Sequence, residues 1–176
     1  MNEEATTGRL AAAVIERYAA ANLTIATAES CTGGMVAAAL TDIAGSSAAF
    51  DRGFVTYSNA AKMAMLGVAD AALAAHGAVS EEVAREMAEG ARRLAGVDVA
   101  VSITGIAGPG GGSATKPVGL VHFACAGSAG TLHREERFGD TGRAGIRLAS
   151  TAVALEMLLD ALPDQVAAAG STVGSP

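Results

Sequence analysis

The sequence predicts a single three-layer α/β/α domain, in which helices cover both faces of a mixed, mostly parallel sheet. Helical and strand patterns alternate along the 176 residues, an order that places helices on both faces of a sheet. The chain is long enough for one domain with a substantial core. Hydrophobic residues make up 51% of it and aromatic residues only 3%, so small side chains let the helices approach the sheet closely.

The first part of the chain is predicted to contain two strands, each next to a helix. Residues 6–22 place apolar side chains at helical spacing and form an amphipathic helix. The short β-branched segment 23–28 is typical of a buried strand. An alanine-rich helix through residues 35–43 follows and ends at Gly45, and residues 50–57 form the second strand.

Three helices and a third strand come next. The helices cover residues 59–66, 70–76 and 81–94, and their predicted N-caps are Ser58, Asp70 and Ser80. Acidic residues in the first turn of the longest helix and arginines in its last turn match the helix dipole. Residues 97–104 are almost continuously apolar, which predicts a strand buried on both faces.

Two strands and a helix complete the predicted domain. The elements are strands 118–126 and 131–138, a hairpin at 127–130 and a helix at 144–162. The helix ends before Pro163, because proline disfavours a helical residue before it. We place the domain at residues 1–169 and expect the small-residue segment 170–176 to be a disordered tail.

Composition and charge narrow the choice of partners. The net charge of −6 and the lack of a Lys or Arg run disfavour nucleic acid. Charged residues interrupt every apolar stretch before the roughly 20 residues that a bilayer span needs, and no leader pattern opens the chain. We therefore expect a soluble, cytoplasmic protein without membrane contact. Cys31 and Cys125 are predicted to be reduced thiols, and the pattern of His and Cys predicts no metal site and no cofactor.

The turn after the first strand is the first candidate for chemistry. It places Ser30, Cys31 and Thr32 at the exposed end of the sheet, followed by Gly33 and Gly34. Glycines let another group approach the backbone, and the first amides of the next helix are expected to be unpaired and free to receive an oxyanion. Nucleophile and oxyanion hole could share this turn. Equally, Ser30 or Thr32 could be a helix N-cap and the glycines a tight turn.

Lys62 and Tyr57 are predicted to lie near one another. Lys62 falls one turn into the helix that Ser58 caps, and its side chain leans towards the N-terminal end, where Tyr57 lies. The alternatives are a solvated lysine on a short surface helix and an ordinary tyrosine at a strand end.

A glycine-rich loop, residues 105–113, follows the third strand. It fits neither the P-loop pattern nor the dinucleotide-binding pattern, and flexible connections often contain Gly-Pro and Gly-Gly pairs. Its position at the exit of a buried strand favours a ligand-binding role. Arg143 and Arg147 lie at the start of the last helix, an unfavourable end for cations, which indicates anion binding. Surface arginines that bind nothing are the alternative.

Three segments resemble the CinA C-terminal domain family. They are residues 28–34 (Ala-Glu-Ser-Cys-Thr-Gly-Gly), 53–62 (Gly-Phe-Val-Thr-Tyr-Ser-Asn-Ala-Ala-Lys) and 104–112 (Thr-Gly-Ile-Ala-Gly-Pro-Gly-Gly-Gly), the last followed by Lys-Pro-Val-Gly at 116–119. The similarity extends from about Leu10 to Leu159. Full-length members carry a large N-terminal domain in addition, and this sequence resembles the single-domain form, which we therefore expect. Residues 139–147 are one residue longer than the family's Gly-Asp-Arg and Ile/Val-Arg pattern, with the first arginine displaced.

The resemblance implies hydrolysis of the carboxamide of nicotinamide mononucleotide (NMN) to nicotinate mononucleotide and ammonia, a step of pyridine nucleotide salvage. It implies that Ser30 is the nucleophile and that Lys62 and Tyr57 activate it. Implied substrate contacts are Thr32, Gly33, Gly34, Asn59, Thr104, Gly105, Gly108, Gly110, Gly111 and Arg143. The displaced arginine maps to Arg143, and Arg147 is the alternative. The partners that we expect are NMN and further copies of the chain in a homo-oligomer.

The proposed chemistry needs a base for the serine. A hydroxyl attacks an amide only when its proton is removed, and no histidine lies in these motifs. A neutral lysine can serve: lowering its pKa from ~10.4 to near 7 costs roughly 4 to 5 kcal/mol, which burial can impose. We expect an acyl-enzyme ester on Ser30, with its oxyanion held by amides near Thr32 and Gly33. Tyr57 could relay a proton to the departing ammonia, and Cys31 is the rival nucleophile, expected to point into the core.

The substrate's phosphate has two candidate binders. Arg143 offers a bidentate cation and the glycine-rich loop offers backbone N–H groups. Two other functions stay open. The chain could be a non-catalytic interaction module, since family members are also associated with competence and DNA damage, or an amidase that acts on another small carboxamide.

Overall fold

Five strands form one sheet in the computed structural model, which describes residues 3–162. In chain order they are β1 (Ile25–Glu29), β2 (Phe50–Val55), β3 (Val99–Gly105), β4 (Leu120–Gly127) and β5 (Gly130–Arg137). Across the sheet the order is β2-β1-β3-β4-β5. β1 pairs in parallel with β2 and β3, whereas β4 pairs antiparallel with β3 and β5. The predicted mixed sheet is confirmed, and strands β2, β1 and β3 form its parallel part.

Helices cover both faces of this sheet, which confirms the three-layer prediction. They are α1 (Glu3–Ala20), α2 (Met35–Thr41), α3 (Asn59–Leu66), α4 (Asp70–His76), α5 (Glu81–Ala95) and α6 (Gly142–Asp160), and a short 3-10 turn spans Ser46–Ala48. One apolar core joins α1, α2 and α6 to the sheet around Tyr18 and Phe123. A second core packs α3, α4 and α5 on the opposite face around Leu66 and Met87.

Two of the three predicted helix caps are confirmed and the third is corrected. The hydroxyls of Ser58 and Ser80 each accept a hydrogen bond from the amide three residues further on, at 3.0 and 3.3 Å. Asp70, however, is the first residue of α4, and Ala69 is its N-cap without a side-chain cap. The carboxylate of Glu86 on α5 accepts a hydrogen bond from the Ala69 amide at 2.7 Å. Tertiary packing against α5, rather than a local cap, therefore fixes the start of α4.

The remaining expectations concern the thiols, the membrane and the C-terminus. Both cysteines are buried and free, as predicted. Within residues 3–162, every helix is too short or too polar to cross a membrane. The predicted stop before Pro163 and the tail at 170–176 lie outside the described residues.

The carboxyl ends of β1, β2 and β3 meet at one edge of the sheet, because these strands are parallel. Ser30 follows β1, and its amide donates a hydrogen bond to the Ile103 carbonyl on β3 at 2.9 Å. Thr56 follows β2, and its amide donates to the Glu29 carbonyl at 2.8 Å. These bonds extend strand pairing beyond the ends of β1 and β2, so the segments that follow are held side by side.

Helix α5 approaches α3 closely because residue 90 is a glycine. A Cβ atom at Gly90 would collide with the carbonyl oxygen of Leu66, the last residue of α3. Backbone atoms cannot move aside as flexible side chains do, so α3 and α5 can pack this closely only if position 90 lacks a side chain.

We therefore expect Gly90→Ala to lower the free energy of unfolding by about 1 to 3 kcal/mol through overpacking. The control is Gly8→Ala in α1, where a Cβ would have no neighbour within 4 Å. That change should raise the free energy of unfolding by up to about 1 kcal/mol, because alanine is the better helix former. Urea denaturation measures both effects. Equal effects of the two substitutions would contradict the close α3–α5 contact.

Candidate active site

The side chains of Ser30 and Lys62 meet at the carboxyl edge of the parallel strands. The Lys62 Nζ lies 3.0 Å from the Ser30 Oγ and donates a second hydrogen bond to the Thr56 carbonyl oxygen at 2.9 Å. Lys62 is 1% exposed and Ser30 is 9% exposed. The structure thus excludes the alternative of a solvated surface lysine and places a buried amine within hydrogen-bonding distance of a hydroxyl.

The position of Lys62 follows from local features of α3. The Ser58 cap begins the helix directly after β2, and Lys62 lies one turn further on. A helical side chain leans towards the N-terminus of its own helix, which here brings the amine back to the sheet edge. Lys62 and Leu66, four residues apart, are the two buried residues of α3. The lysine therefore occupies the face of the helix that packs against the domain.

Burial lowers the pKa of Lys62, because the charged ammonium loses hydration that the site replaces only in part. Cys31 has the opposite effect, because its thiolate form would raise the pKa of the lysine, but this effect is smaller than that of burial. Within residues 3–162, no carboxylate pairs with Lys62 to hold its positive charge. The environment favours the neutral amine, whose lone pair can accept a proton.

Cys31, the rival nucleophile, is 5% exposed and lines the same cavity. Burial raises the pKa of its thiol to about 11, so the thiol stays protonated near neutral pH. Because the thiolate is the reactive form of a cysteine, this environment disfavours Cys31 as the attacking group.

The amides at the start of α2 are not free, contrary to the sequence prediction. The Glu29 carboxylate, which is completely buried, accepts hydrogen bonds from the amides of Gly34 and Ala37 at 2.9 Å and of Val36 at 3.1 Å. The amide of Gly33 donates to the carbonyl of Ser30 at 3.1 Å. The buried carboxylate of Glu29 therefore binds the helix amides that were predicted to bind an oxyanion.

The amides of Cys31 and Thr32 remain available within this turn. In the described part of the chain, neither amide donates a hydrogen bond to another residue. Cys31 lines the cavity, whereas Thr32 is completely buried. Of these two residues, Cys31 is therefore the one that borders the cavity.

A cavity of about 230 Å³ lies in front of the serine. It is lined by Ser30, Cys31, Tyr57, Asn59, Lys62, Ala78, Val79, Thr104, Gly105, Ala107 and Arg143. Seven residues predicted for the site are in this set, namely Ser30, Tyr57, Asn59, Lys62, Thr104, Gly105 and Arg143. Six predicted substrate contacts are not, namely Thr32, Gly33, Gly34, Gly108, Gly110 and Gly111.

Ala78 and Val79 are cavity residues that the sequence analysis missed. They lie between α4 and α5, and the Thr104 hydroxyl donates a hydrogen bond to the Ala78 carbonyl at 2.7 Å. The Lys116 ammonium donates to the Val79 carbonyl at 2.7 Å from the far end of the glycine-rich loop. No sequence pattern predicts either contact, because both contacts join segments that are distant along the chain.

Arg143 spans the mouth of the cavity. Its guanidinium donates hydrogen bonds to the Tyr57 hydroxyl at 2.8 Å and to the Gly108 carbonyl at 3.0 Å. Arg147 lies behind the serine turn and donates to the carbonyls of Cys31 at 3.0 Å and Thr32 at 2.8 Å. Of the two candidate arginines, Arg143 therefore faces the cavity, and neutral acceptors hold its guanidinium.

The site thus defines a three-layer α/β protein with a buried serine and lysine at the carboxyl edge of a parallel sheet segment. The chain belongs to the CinA C-terminal domain family, whose sequence profile matches residues 7–162.

Several relatives carry functional names. The chain is 60% identical to nicotinamide-nucleotide amidohydrolase PncC of Escherichia coli strain K12, over 77% of this chain and 82% of that protein. It is 56% identical to the protein of the same name from Enterobacter agglomerans, over 75% of this chain and 80% of that protein. The crystal structure of competence/damage inducible protein CihA from Agrobacterium tumefaciens superposes with a TM-score of 0.87 at 54% identity, covering 88% of this chain and 94% of that one.

The lowered pKa of Lys62 makes stability depend on pH. Between that lowered pKa and the ordinary value of ~10.4, the unfolded state binds more protons than the folded state, so the free energy of unfolding rises with pH. We expect the free energy of unfolding of the wild type, minus that of Lys62→Met, to rise with pH across this window. Urea denaturation from about pH 6 to about pH 10 measures it, and a flat difference would contradict the burial argument.

Proposed function

We propose that this chain hydrolyses the carboxamide of NMN to nicotinate mononucleotide and ammonia, as an amidohydrolase in pyridine nucleotide salvage. The names of the relatives at 56% and 60% identity support this substrate. The observation that carries the mechanism is the 3.0 Å contact between the buried Lys62 Nζ and the Ser30 Oγ, inside a cavity. This pair supplies both a nucleophile and a base without a histidine.

In the first step, neutral Lys62 accepts the proton of the Ser30 hydroxyl while the Oγ attacks the carboxamide carbon. The C–O bond forms, and the carbonyl oxygen becomes an oxyanion, for which the Cys31 amide is the proposed hydrogen-bond donor. Collapse of this intermediate breaks the C–N bond. The ammonium of Lys62 returns its proton to the departing nitrogen, which leaves as ammonia and leaves an ester on Ser30.

In the second step, water replaces ammonia. Neutral Lys62 takes a proton from the water as the water oxygen attacks the ester carbon, and the proton then returns to the Ser30 Oγ as nicotinate mononucleotide departs. Tyr57 is 61% exposed and its hydroxyl is bound to Arg143. Lys62 is therefore the direct proton carrier in this scheme, and Tyr57 contributes to proton transfer only if its contact with Arg143 opens.

Arg143 is the proposed partner of the substrate phosphate. Its guanidinium lies at the cavity mouth, and among the described residues only neutral groups, the Tyr57 hydroxyl and the Gly108 carbonyl, accept its hydrogen bonds. A phosphate dianion is a stronger acceptor than either and fits the planar fork of an arginine. Binding of NMN would thus replace weak neutral partners by a charged one.

The direct test is ammonia release from NMN. We expect Ser30→Ala and Lys62→Ala to reduce the rate at least about 10³-fold, since either change removes half of the nucleophile–base pair. Cys31→Ala, which removes the rival thiol but keeps the backbone amide, should cost far less than Ser30→Ala. Activity should persist in the presence of a chelator.

Other outcomes of that assay identify other functions. No turnover of NMN together with turnover of a different small carboxamide would indicate another amidase. No turnover of any carboxamide, with Ser30→Ala behaving as wild type, would favour the non-catalytic interaction module.

The phosphate assignment predicts a selective effect of Arg143→Met. Loss of charged hydrogen bonds worth about 1.5 to 3 kcal/mol should raise KM for NMN roughly 10- to 100-fold. Nicotinamide riboside, which carries the same carboxamide without the phosphate, is the control substrate, and its kcat/KM should change little. An equal loss for both substrates would show that Arg143 does not read the phosphate.

A further inference from the structure

Two charged side chains that take no part in the proposed chemistry hold the turn that carries Ser30. Glu29 precedes the serine, is completely buried and accepts three backbone amides at the start of α2. Arg147, on α6, donates to the two backbone carbonyls that follow the serine. The acid binds only N–H groups and the arginine only C=O groups, and no hydrogen bond joins the two side chains within residues 3–162.

Glu29 and Arg147 bind different backbone groups of the turn. The carbonyls of Cys31 and Thr32 are bound by Arg147, and the amide of Gly34 is bound by Glu29. The amides of Cys31 and Thr32 are left without an acceptor on another residue of the described chain. When the carbonyl of Cys31 is fixed, the peptide plane that joins it to Thr32 is fixed as well.

We propose that Glu29 and Arg147 are positioning residues, which hold the turn from behind through its backbone and so orient the Ser30 hydroxyl towards the cavity. The proposal rests on Ser30 as the nucleophile of the proposed function. Among the described residues, no cationic side chain pairs with the buried Glu29 carboxylate, and three backbone amides at the start of one short helix bind it instead. A small displacement of this turn would move the attacking oxygen away from its line of attack, which can cost about 100-fold in rate.

Glu29→Gln tests the acid with the least change in shape. Glutamine keeps one oxygen but turns the other acceptor into an N–H donor that faces a backbone amide, so the turn can no longer bind both ends of the side chain. We expect kcat for NMN to fall about 10- to 100-fold while KM stays within about twofold. Arg147→Met removes both donors from the opposite side and should give the same pattern if Glu29→Gln does not fold.

Asp98→Asn is the matched control. Asp98 accepts hydrogen bonds from the amide and hydroxyl of Thr24 at 2.8 and 2.9 Å, before β3 begins, at the opposite edge of the sheet from Ser30. It also exchanges a carboxylate for an amide and disturbs a backbone contact, but far from the cavity. Below the unfolding temperature of both variants, Asp98→Asn should keep the wild-type kcat. If both variants lose kcat in proportion to their loss of stability, Glu29 is merely structural.

A fluorophosphonate probe separates this proposal from the proposed function. The probe forms an ester with an activated serine hydroxyl and releases fluoride, so it reports on Ser30 without needing NMN. We expect labelling at Ser30 in the wild type and labelling slowed at least about tenfold in Glu29→Gln. No labelling and no NMN turnover in the wild type would overturn the proposed function. A labelled, active wild type with an equally reactive Glu29→Gln would overturn only the positioning role.

Discussion

The burial of one lysine amine against one serine hydroxyl is the constraint on which the rest of the site depends. An ammonium in this place would lose most of its hydration, and in the described part of the chain it has no carboxylate to replace it. The contacts that do exist, with the Ser30 hydroxyl and the Thr56 carbonyl, suit a neutral amine. The fold therefore makes this position unfavourable for a charged ammonium and favourable for a neutral amine that can act as a base.

Several distant parts of the chain create this environment. The parallel pairing of β1 with β2 and β3 brings three strand ends together, and the Ser58 cap turns the chain back so that Lys62 points at them. Gly90 lets α3 approach α5 closely. Behind the serine, a buried acid and an arginine hold the turn through its backbone. The packing of the scaffold therefore also determines the candidate site, since contacts from distant parts of the chain position Ser30 and Lys62.

Local patterns predicted much of this arrangement, and long-range contacts account for what they missed. The predicted cap at Ser58, together with the tendency of helical side chains to lean towards the helix N-terminus, was sufficient to predict that Lys62 points towards the strand ends. The rule that helix starts are unpaired failed at α2, because Glu29 at the end of the preceding strand occupies those amides. Arg143 and Arg147 could not be told apart by sequence, since one helical turn of separation sends one to the cavity and the other behind the serine.

The most direct test of the account is the titration of Lys62 itself. The chain contains two lysines, Lys62 and Lys116, so selective ¹³C labelling gives two side-chain signals, and the spectrum of Lys62→Met assigns them. We expect the Lys62 Cε signal to titrate well below the ordinary lysine value of ~10.4. A Lys62 signal that titrates at or above that value would contradict it, because a permanently charged amine cannot accept the proton of Ser30.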